Sequence, residues 1–244
     1  MVTTLLLVAG LIAGFIDSIA GGGGLVTLPV FFMVLGHGPV AIGTNKINGS
    51  VAALVALLVY LKAGQIRWRP TLFFGLWVTL GSLFGSEFSP LVPKEFFRWI
   101  LLGVCPVILW VIWKKEFWIS RSQVSPSVPW ISILVGFCVG FYDGFVGPGG
   151  GTLMFLGLIF FVKLPLFPAI AATKFVNFSS AFVSLLNYQR GEYVQWAPGF
   201  VMASGTAIGA FLGARVANQK AAAIVRPALF VVVILLVAKV VFGP

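Results

Sequence analysis

Hydrophobic residues fall along this chain in ten runs, separated by short polar or glycine- and proline-containing stretches. The runs cover about residues 2–20, 24–36, 40–62, 70–91 and 96–113, then 130–146, 150–162, 166–189, 197–217 and 222–242. Most approach the roughly 20 residues that an α-helix needs to cross a bilayer. The second and the seventh have only about 13 residues, and each directly follows a glycine run, Gly21 to Gly24 in one case and Gly147 to Gly151, broken by Pro148, in the other. One reading is a short, tilted span. The preferred reading is a half-helix or re-entrant hairpin whose irregular backbone lines a cavity, because irregular backbone is not tolerated against lipid.

The runs form two sets of five. Gly14-Phe15-Ile16-Asp17 returns as Gly140-Phe141-Tyr142-Asp143, an offset of 126, with a glycine run after each copy. Ala41-Ile42-Gly43-Thr44-Asn45-Lys46 returns as Ala169-Ile170-Ala171-Ala172-Thr173-Lys174, an offset of 128, and Gly81, Gly85 and Arg98 return as Gly209, Gly213 and Arg226 at that same offset. The expected organisation is a first repeat over 1–113, a cytoplasmic polar connector over 114–129 and a second repeat over 130–244. Five segments is an odd number, so the second repeat enters the membrane in the opposite sense, giving an inverted-topology repeat. If the short segments only dip into the membrane, each half has four spans and the repeat is parallel. The expected fold is therefore an all-α integral membrane protein with about ten transmembrane or half-membrane helices.

Composition agrees. The 244 residues are 59% hydrophobic and 9% charged, with a mean hydropathy of +1.07. A soluble domain carries about 25% charged residues, so this chain has too few to cover a water-facing surface. The net charge of +10 would suggest nucleic acid in a soluble protein. Here it reflects orientation instead. With ten crossings and the N-terminus outside, the cytoplasmic ends hold Lys62, Arg67, Arg69, Lys114, Lys115, Arg121, Lys163, Arg215, Lys220 and Arg226, against Lys94, Arg98, Arg190 and Lys239 outside. That bias places both termini outside. Trp68, Trp113, Trp118, Trp130 and Trp196 fall near segment ends, as interfacial anchors do. The N-terminus has no basic region typical of a cleaved signal, so the first segment is expected in the mature fold.

Candidate chemistry lies inside the segments. Lys46 and Lys174 each sit several residues within a hydrophobic run, where an ionised lysine is costly and marks a functional candidate. Snorkelling to the interface is the alternative for either one; their match across the repeat favours a shared site. Thr44, Asn45 and Asn48 surround Lys46, and Thr173, Asn177, Ser179 and Ser180 surround Lys174. These side chains offer hydrogen bonds to an oxyanion, or simply between helices. In the glycine runs, Gly22, Gly23, Gly24, Gly149 and Gly150 permit close backbone approach, and the N–H groups opening the next helix favour an anion. Gly10, Gly14, Gly81, Gly85, Gly209 and Gly213 suit close helix packing. Asp17 and Asp143 precede the glycines and could accept a proton, pair with Lys46 or Lys174, or cap the broken helix. Two lysines and two donor-rich loops in one bundle argue for a small anionic substrate.

Other chemistry is thin. Cys105 and Cys138 lie in apolar runs as packing residues, and His37 sits in a polar turn. No cluster has metal-ligand spacing, and no cofactor motif or catalytic set is present, so an enzyme or assembly factor ranks below a carrier or a passive anion channel. Nucleic acid is not an expected partner; the bilayer is. The sequence leaves a homo-oligomer, the direction of transport and the coupling ion open.

Gly14 to Gly24, the Thr44-Asn45-Lys46 stretch and their second-half copies resemble the TauE/SafE family, also called the sulfite exporter or TSUP family. The resemblance spans nearly the whole chain. It implies a bacterial or archaeal inner-membrane transporter of sulfur-containing or organic anions such as sulfite, thiosulfate, sulfonates or sulfoacetate. The second copy departs from the first at Pro148 and at Thr173-Lys174, so the resemblance implies a site to which the two lysines contribute unequally.

Overall fold

The computed structural model describes residues 1–93 except 37 and 65, residue 97, and residues 129–217. The segment 222–242, all of 96–113 but one residue, most of the connector, His37, Cys105, Trp113 and Trp118 lie outside the described residues.

Every described regular element is helical. The order is α1 (Val2–Ala20), α2 (Gly24–Leu35), α3 (Pro39–Lys62), α4 (Trp68–Phe88) with a 3-10 turn (Ser89–Leu91), α5 (Pro129–Phe145), α6 (Gly150–Phe160) and α7 (Leu166–Arg190), then α8 (Trp196–Ala217). The eight predicted segments that fall on described residues match to within three residues. The run expected over 70–91 leaves the α conformation after Phe88 and tightens into the 3-10 turn at Pro90, which has no N–H for an α-helical bond. Five helices, α1, α3, α4, α7 and α8, are long and apolar enough to cross a membrane. The chain is a multi-pass membrane protein. Helices α2 and α6, with 12 and 11 residues, rise only about 18 and 17 Å, well short of the roughly 30 Å hydrocarbon core.

Burial runs opposite to that of a soluble protein. Leu58, Leu76, Leu134, Phe200 and Ile208 are exposed, while Lys46, Lys174, Asp17, Asp143, Asn45, Asn48 and Asn177 are buried. Lipid solvates the apolar face, and the polar groups turn inward to satisfy one another. Trp68, Trp130 and Trp196 are exposed in the first turns of α4, α5 and α8, as interfacial anchors require.

Glycines set the helix pairs. A Cβ on Gly14 would strike the Thr206 carbonyl oxygen, and one on Gly209 the Leu11 carbonyl oxygen, so α1 and α8 pack backbone to backbone and run the same way. In α5 and α4, Gly140 meets the Val78 carbonyl and Gly81 the Phe137 carbonyl at the equivalent positions. Each first helix thus packs on the fourth helix of the other half. Across the centre, Gly43 of α3 faces Tyr188 of α7 and Gly49 faces Ala181, so these equivalent helices run antiparallel.

The short helices reverse the chain. Gly23 folds back beside Ala13 and Asp17, and α3 then returns toward the C-terminal end of α1, where the Tyr60 hydroxyl donates to the Ser18 carbonyl at 3.0 Å. The second half repeats this, with Tyr188 donating to the Gly144 carbonyl at 2.9 Å. One end of the bundle carries the α3–α4 turn with Lys62, Arg67 and Arg69. Lys163 and Arg215 lie at that same end, because α7 runs with α4, where Trp68 stacks edge-on against Phe175, and α8 runs with α1. Arg190, at the C-terminus of α7, lies at the opposite end.

Candidate functional site

Helix α3 buries Lys46 and helix α7 buries Lys174, at 4% and 1% exposure. Buried ammonium groups need both charge and hydrogen-bond partners. The structure supplies both from the other half of the chain. Lys46 Nζ lies 3.0 Å from Asp143 Oδ2 and also donates to the Asp143 carbonyl. Lys174 Nζ donates to the Asp17 carbonyl and lies 3.7 Å from Asp17 Oδ2. These carbonyls belong to the last turns of α5 and α1, where the helix dipole attracts a cation, and the Asp17 carbonyl also accepts the Gly21 N–H at 2.9 Å.

The carboxylates are held differently. Asp17 Oδ1 accepts the backbone N–H groups of Gly22 and Gly23, both at 3.1 Å. The anion seated in the first glycine turn is therefore the protein's own side chain, which both caps the turn and answers Lys174. Asp143 Oδ2 instead accepts the Ser180 hydroxyl at 2.6 Å. The turns need glycine for geometry: Gly22 has φ 126 and Gly149, which opens α6, has φ 78. They also touch, with Gly21 against Gly151 and the Thr152 hydroxyl donating to the Gly21 carbonyl at 2.7 Å.

Between the turns and α3 lies a cavity of about 40 Å³, enough for roughly three water-sized groups. Its polar lining is Asp17, Thr27, Asn45, Lys46, Asn48, Asp143, Asn177 and Thr206, with Gly22, Gly23, Gly24, Gly147, Gly149 and Gly151 contributing backbone. Asn45 Oδ1 accepts from Thr27 at 2.5 Å and Asn48 Oδ1 accepts from Thr206 at 3.0 Å. Both bonds occupy the acceptor end of the amide. The Asn48 amide nitrogen is buried with no hydrogen-bond partner, an unspent donor in the wall of the cavity.

Of the residues singled out from sequence, Thr44, Thr173, Lys174 and Gly150 do not line this cavity. Thr44 donates to the Val40 carbonyl and accepts the Gln195 N–H. Thr173 donates to the Ala169 carbonyl. Both are hydroxyls turned back on their own helices. Gly150 presses against the Asp143 carboxylate, and Lys174 is sealed behind Asp17. Sequence reasoning missed Thr27 and Thr206. Thr27 stands three residues after the glycine run, and Thr206 is one of two hydroxyl residues in the predicted segment 197–217, so both carried a weak signal. Among the described residues, no group of three or more His, Cys, Asp or Glu side chains could hold a metal.

The sequence matches the family described as sulfite exporter TauE/SafE over residues 6–240. The chain belongs to the TauE/SafE family. Proteins similar to it include a probable membrane transporter protein of Haemophilus influenzae, 33% identical over 98% of this chain and 94% of the relative. Another is the probable membrane transporter protein ORF9 of a Sinorhizobium species, 34% identical over 98% and 92%. A third is the probable membrane transporter protein YfcA of Escherichia coli K12, 32% identical over 95% and 87%. No solved structure matches this TauE/SafE chain.

Proposed function

We propose that this chain is a secondary transporter of the bacterial inner membrane that moves a small sulfur-containing or organic anion, of the sulfite, thiosulfate or sulfonate class, by alternating access. One observation carries the reading: the two buried lysine–aspartate pairs are exchanged between the halves of the chain and flank a small polar cavity. Two lysines and two aspartates balance, so an anion entering alone would leave an uncompensated buried charge. Binding becomes favourable when a proton neutralises a carboxylate as the anion arrives and so releases Lys46 from Asp143. Lys46 then answers the charge, and the amides of Asn48 and Asn177 orient the oxygens. Sulfite-sized anions suit a cavity with room for about three water-sized groups.

The antiparallel packing of α3 on α7 and the exchange of α1 and α5 between halves support an inverted-topology repeat over 1–113 and 130–244. A parallel repeat would make α3 and α7 run the same way. Lys62, Arg67, Arg69, Lys163 and Arg215 at one end support a cytoplasmic face there and an external N-terminus. A rocking of one half against the other would break and remake the exchanged pairs, which is how an alternating-access carrier presents one site to both sides.

The reading is tested by sulfite counterflow into proteoliposomes. Saturable uptake driven by internal unlabelled sulfite, absent for Lys46→Ala, is expected. Flux that shows no counterflow and far exceeds the turnover of a rocking carrier would favour a passive channel and overturn alternating access.

A further inference from the structure

The two halves share their lysines and aspartates but differ along one seam. Where α4 and its 3-10 turn meet α7, Ser82 meets Ser180 and Ser184, and Ser86 and Ser89 follow it further along, all buried. At the 128-residue offset the other half has alanine at every one of these positions: Ala210, Ala214, Ala217, Ala52 and Ala56. The serines are three or four residues apart, so each set lines one helix face. Ser82 Oγ lies 2.5 Å from Ser184 Oγ and donates to the Ser180 carbonyl at 2.9 Å. Asn187 donates to Ser86 Oγ at 3.0 Å. The row ends on the Ser180 hydroxyl, which donates to Asp143 Oδ2. From Ser82 to Ser89 it climbs about 10 Å toward the end of the bundle that carries Arg190. Helix contact alone does not require these hydroxyls, since the other half packs the same positions with methyl groups.

Resting on the transport reading above, we propose that Asp143, and not Asp17, takes up the coupled proton, and that the proton travels along this serine row while the anion reaches Lys46 through the cavity. Asp17 is unsuited because two backbone N–H groups hold its Oδ1, while its buried Oδ2 has no hydrogen-bond partner and the position equivalent to Ser180 is Ala52, so no hydroxyl row delivers a proton to it. Among the described residues, the titratable groups placed near Asp143 are Lys46 of α3, which pairs with it, Asp17 of α1 across the cavity, and Tyr188 of α7, whose hydroxyl donates to the adjacent Gly144 carbonyl. The step balances simply. A proton entering at the Ser89 end passes between hydroxyls, each giving up one proton as it takes another; Ser86 and Ser82 now donate to the Leu83 and Ser180 carbonyls, so each transfer takes a hydroxyl rotation or a bridging water. Asp143 gains the last proton and becomes neutral, its ion pair with Lys46 breaks, and the freed ammonium accepts the anion. When the site faces the other side of the membrane, Asp143 gives its proton to water there, and the regenerated carboxylate re-forms the pair with Lys46 and expels the anion.

The test is the double variant Ser82→Ala/Ser184→Ala, which adopts the residues the other half already uses. In proteoliposomes, sulfite–sulfite exchange at a fixed pH is expected to stay within twofold of wild type, while sulfite flux driven by an imposed pH gradient falls at least tenfold. Both proteins meet sulfite at the same pH, so its own titration cancels. Unchanged pH-driven flux in the double variant overturns the serine route. Loss of pH-gradient stimulation in Asp17→Asn with its retention in Asp143→Asn overturns the assignment of the carboxylate. Absence of any sulfite exchange in the wild type would instead remove the transport reading itself, and is recognised by that control.

Discussion

Consider the Lys174–Asp17 pair, 1% and 6% exposed, with Asp17 further bound by two backbone N–H groups. Lys174→Met removes the cation and leaves a carboxylate that still has those two donors. The cost sits at the low end of the range for breaking a buried pair, about 3 kcal/mol. Asp17→Asn keeps an oxygen for the N–H groups but leaves the Lys174 ammonium with only a carbonyl, for about 4 kcal/mol. The double variant leaves no buried charge, and replacement of both members of such a pair is often near neutral, so its loss is about 1 kcal/mol. For a chain of this size each kcal/mol is worth roughly 2–4 °C. Intrinsic tryptophan fluorescence during thermal unfolding in detergent is then expected to show single variants about 6–16 °C below wild type and the double variant within about 4 °C of it. Single variants within about 2 °C of wild type, or losses that simply add in the double, would refute the pairing across the two halves.

The packing glycines give a second expectation: Gly140→Val places its side chain on the Val78 carbonyl and should cost about 3 kcal/mol or more, read as loss of the monodisperse peak in detergent chromatography. Lipid-facing Leu134→Val should leave that peak unchanged. Thr44→Val and Thr173→Val, whose hydroxyls bond along their own helices, should keep sulfite affinity within about twofold, whereas Asn48→Leu removes an unspent donor and should weaken it about tenfold, the 1–2 kcal/mol of one hydrogen bond, by competition in counterflow. A single cysteine replacing Lys62, in a background with Cys105 and Cys138 changed to serine, should react with a membrane-impermeant maleimide only from the cytoplasmic side; labelling of intact cells there would reverse the orientation.

Much of the fold was legible because lipid imposes a simple rule on composition. Long apolar runs announced α1, α3, α4, α7 and α8, and glycine runs followed by short apolar stretches announced α2 and α6. The packing role of Gly14, Gly81 and Gly209 was readable from residue type alone, since only a hydrogen side chain lets a carbonyl approach so closely. The residue types at the site were equally visible: Lys46 and Asp143 stand out in an apolar background. Their partnership was not. Pairing Lys46 with Asp143 rather than with nearby Asp17 depends on the first helix of each half docking into the other half, a tertiary exchange that no local pattern encodes. The glycine turn was read as a place for an incoming anion, whereas Asp17 already fills the N–H groups of Gly22 and Gly23. Thr44 misled because a threonine beside a buried lysine looks like a ligand, yet its hydroxyl serves the Val40 carbonyl and the loop at Gln195.

The most direct test of the central claim is a thermal-shift titration of the purified protein with sulfite, thiosulfate, sulfate, a sulfonate and a carboxylate, run on wild type and on Lys46→Ala. The account expects at least one of these anions to raise the wild-type midpoint by several degrees in a saturable manner and to leave Lys46→Ala unmoved. Equal stabilisation of both proteins by the same anion would contradict it, because the anion would then be held without Lys46, which among the described residues is the lysine lining the cavity.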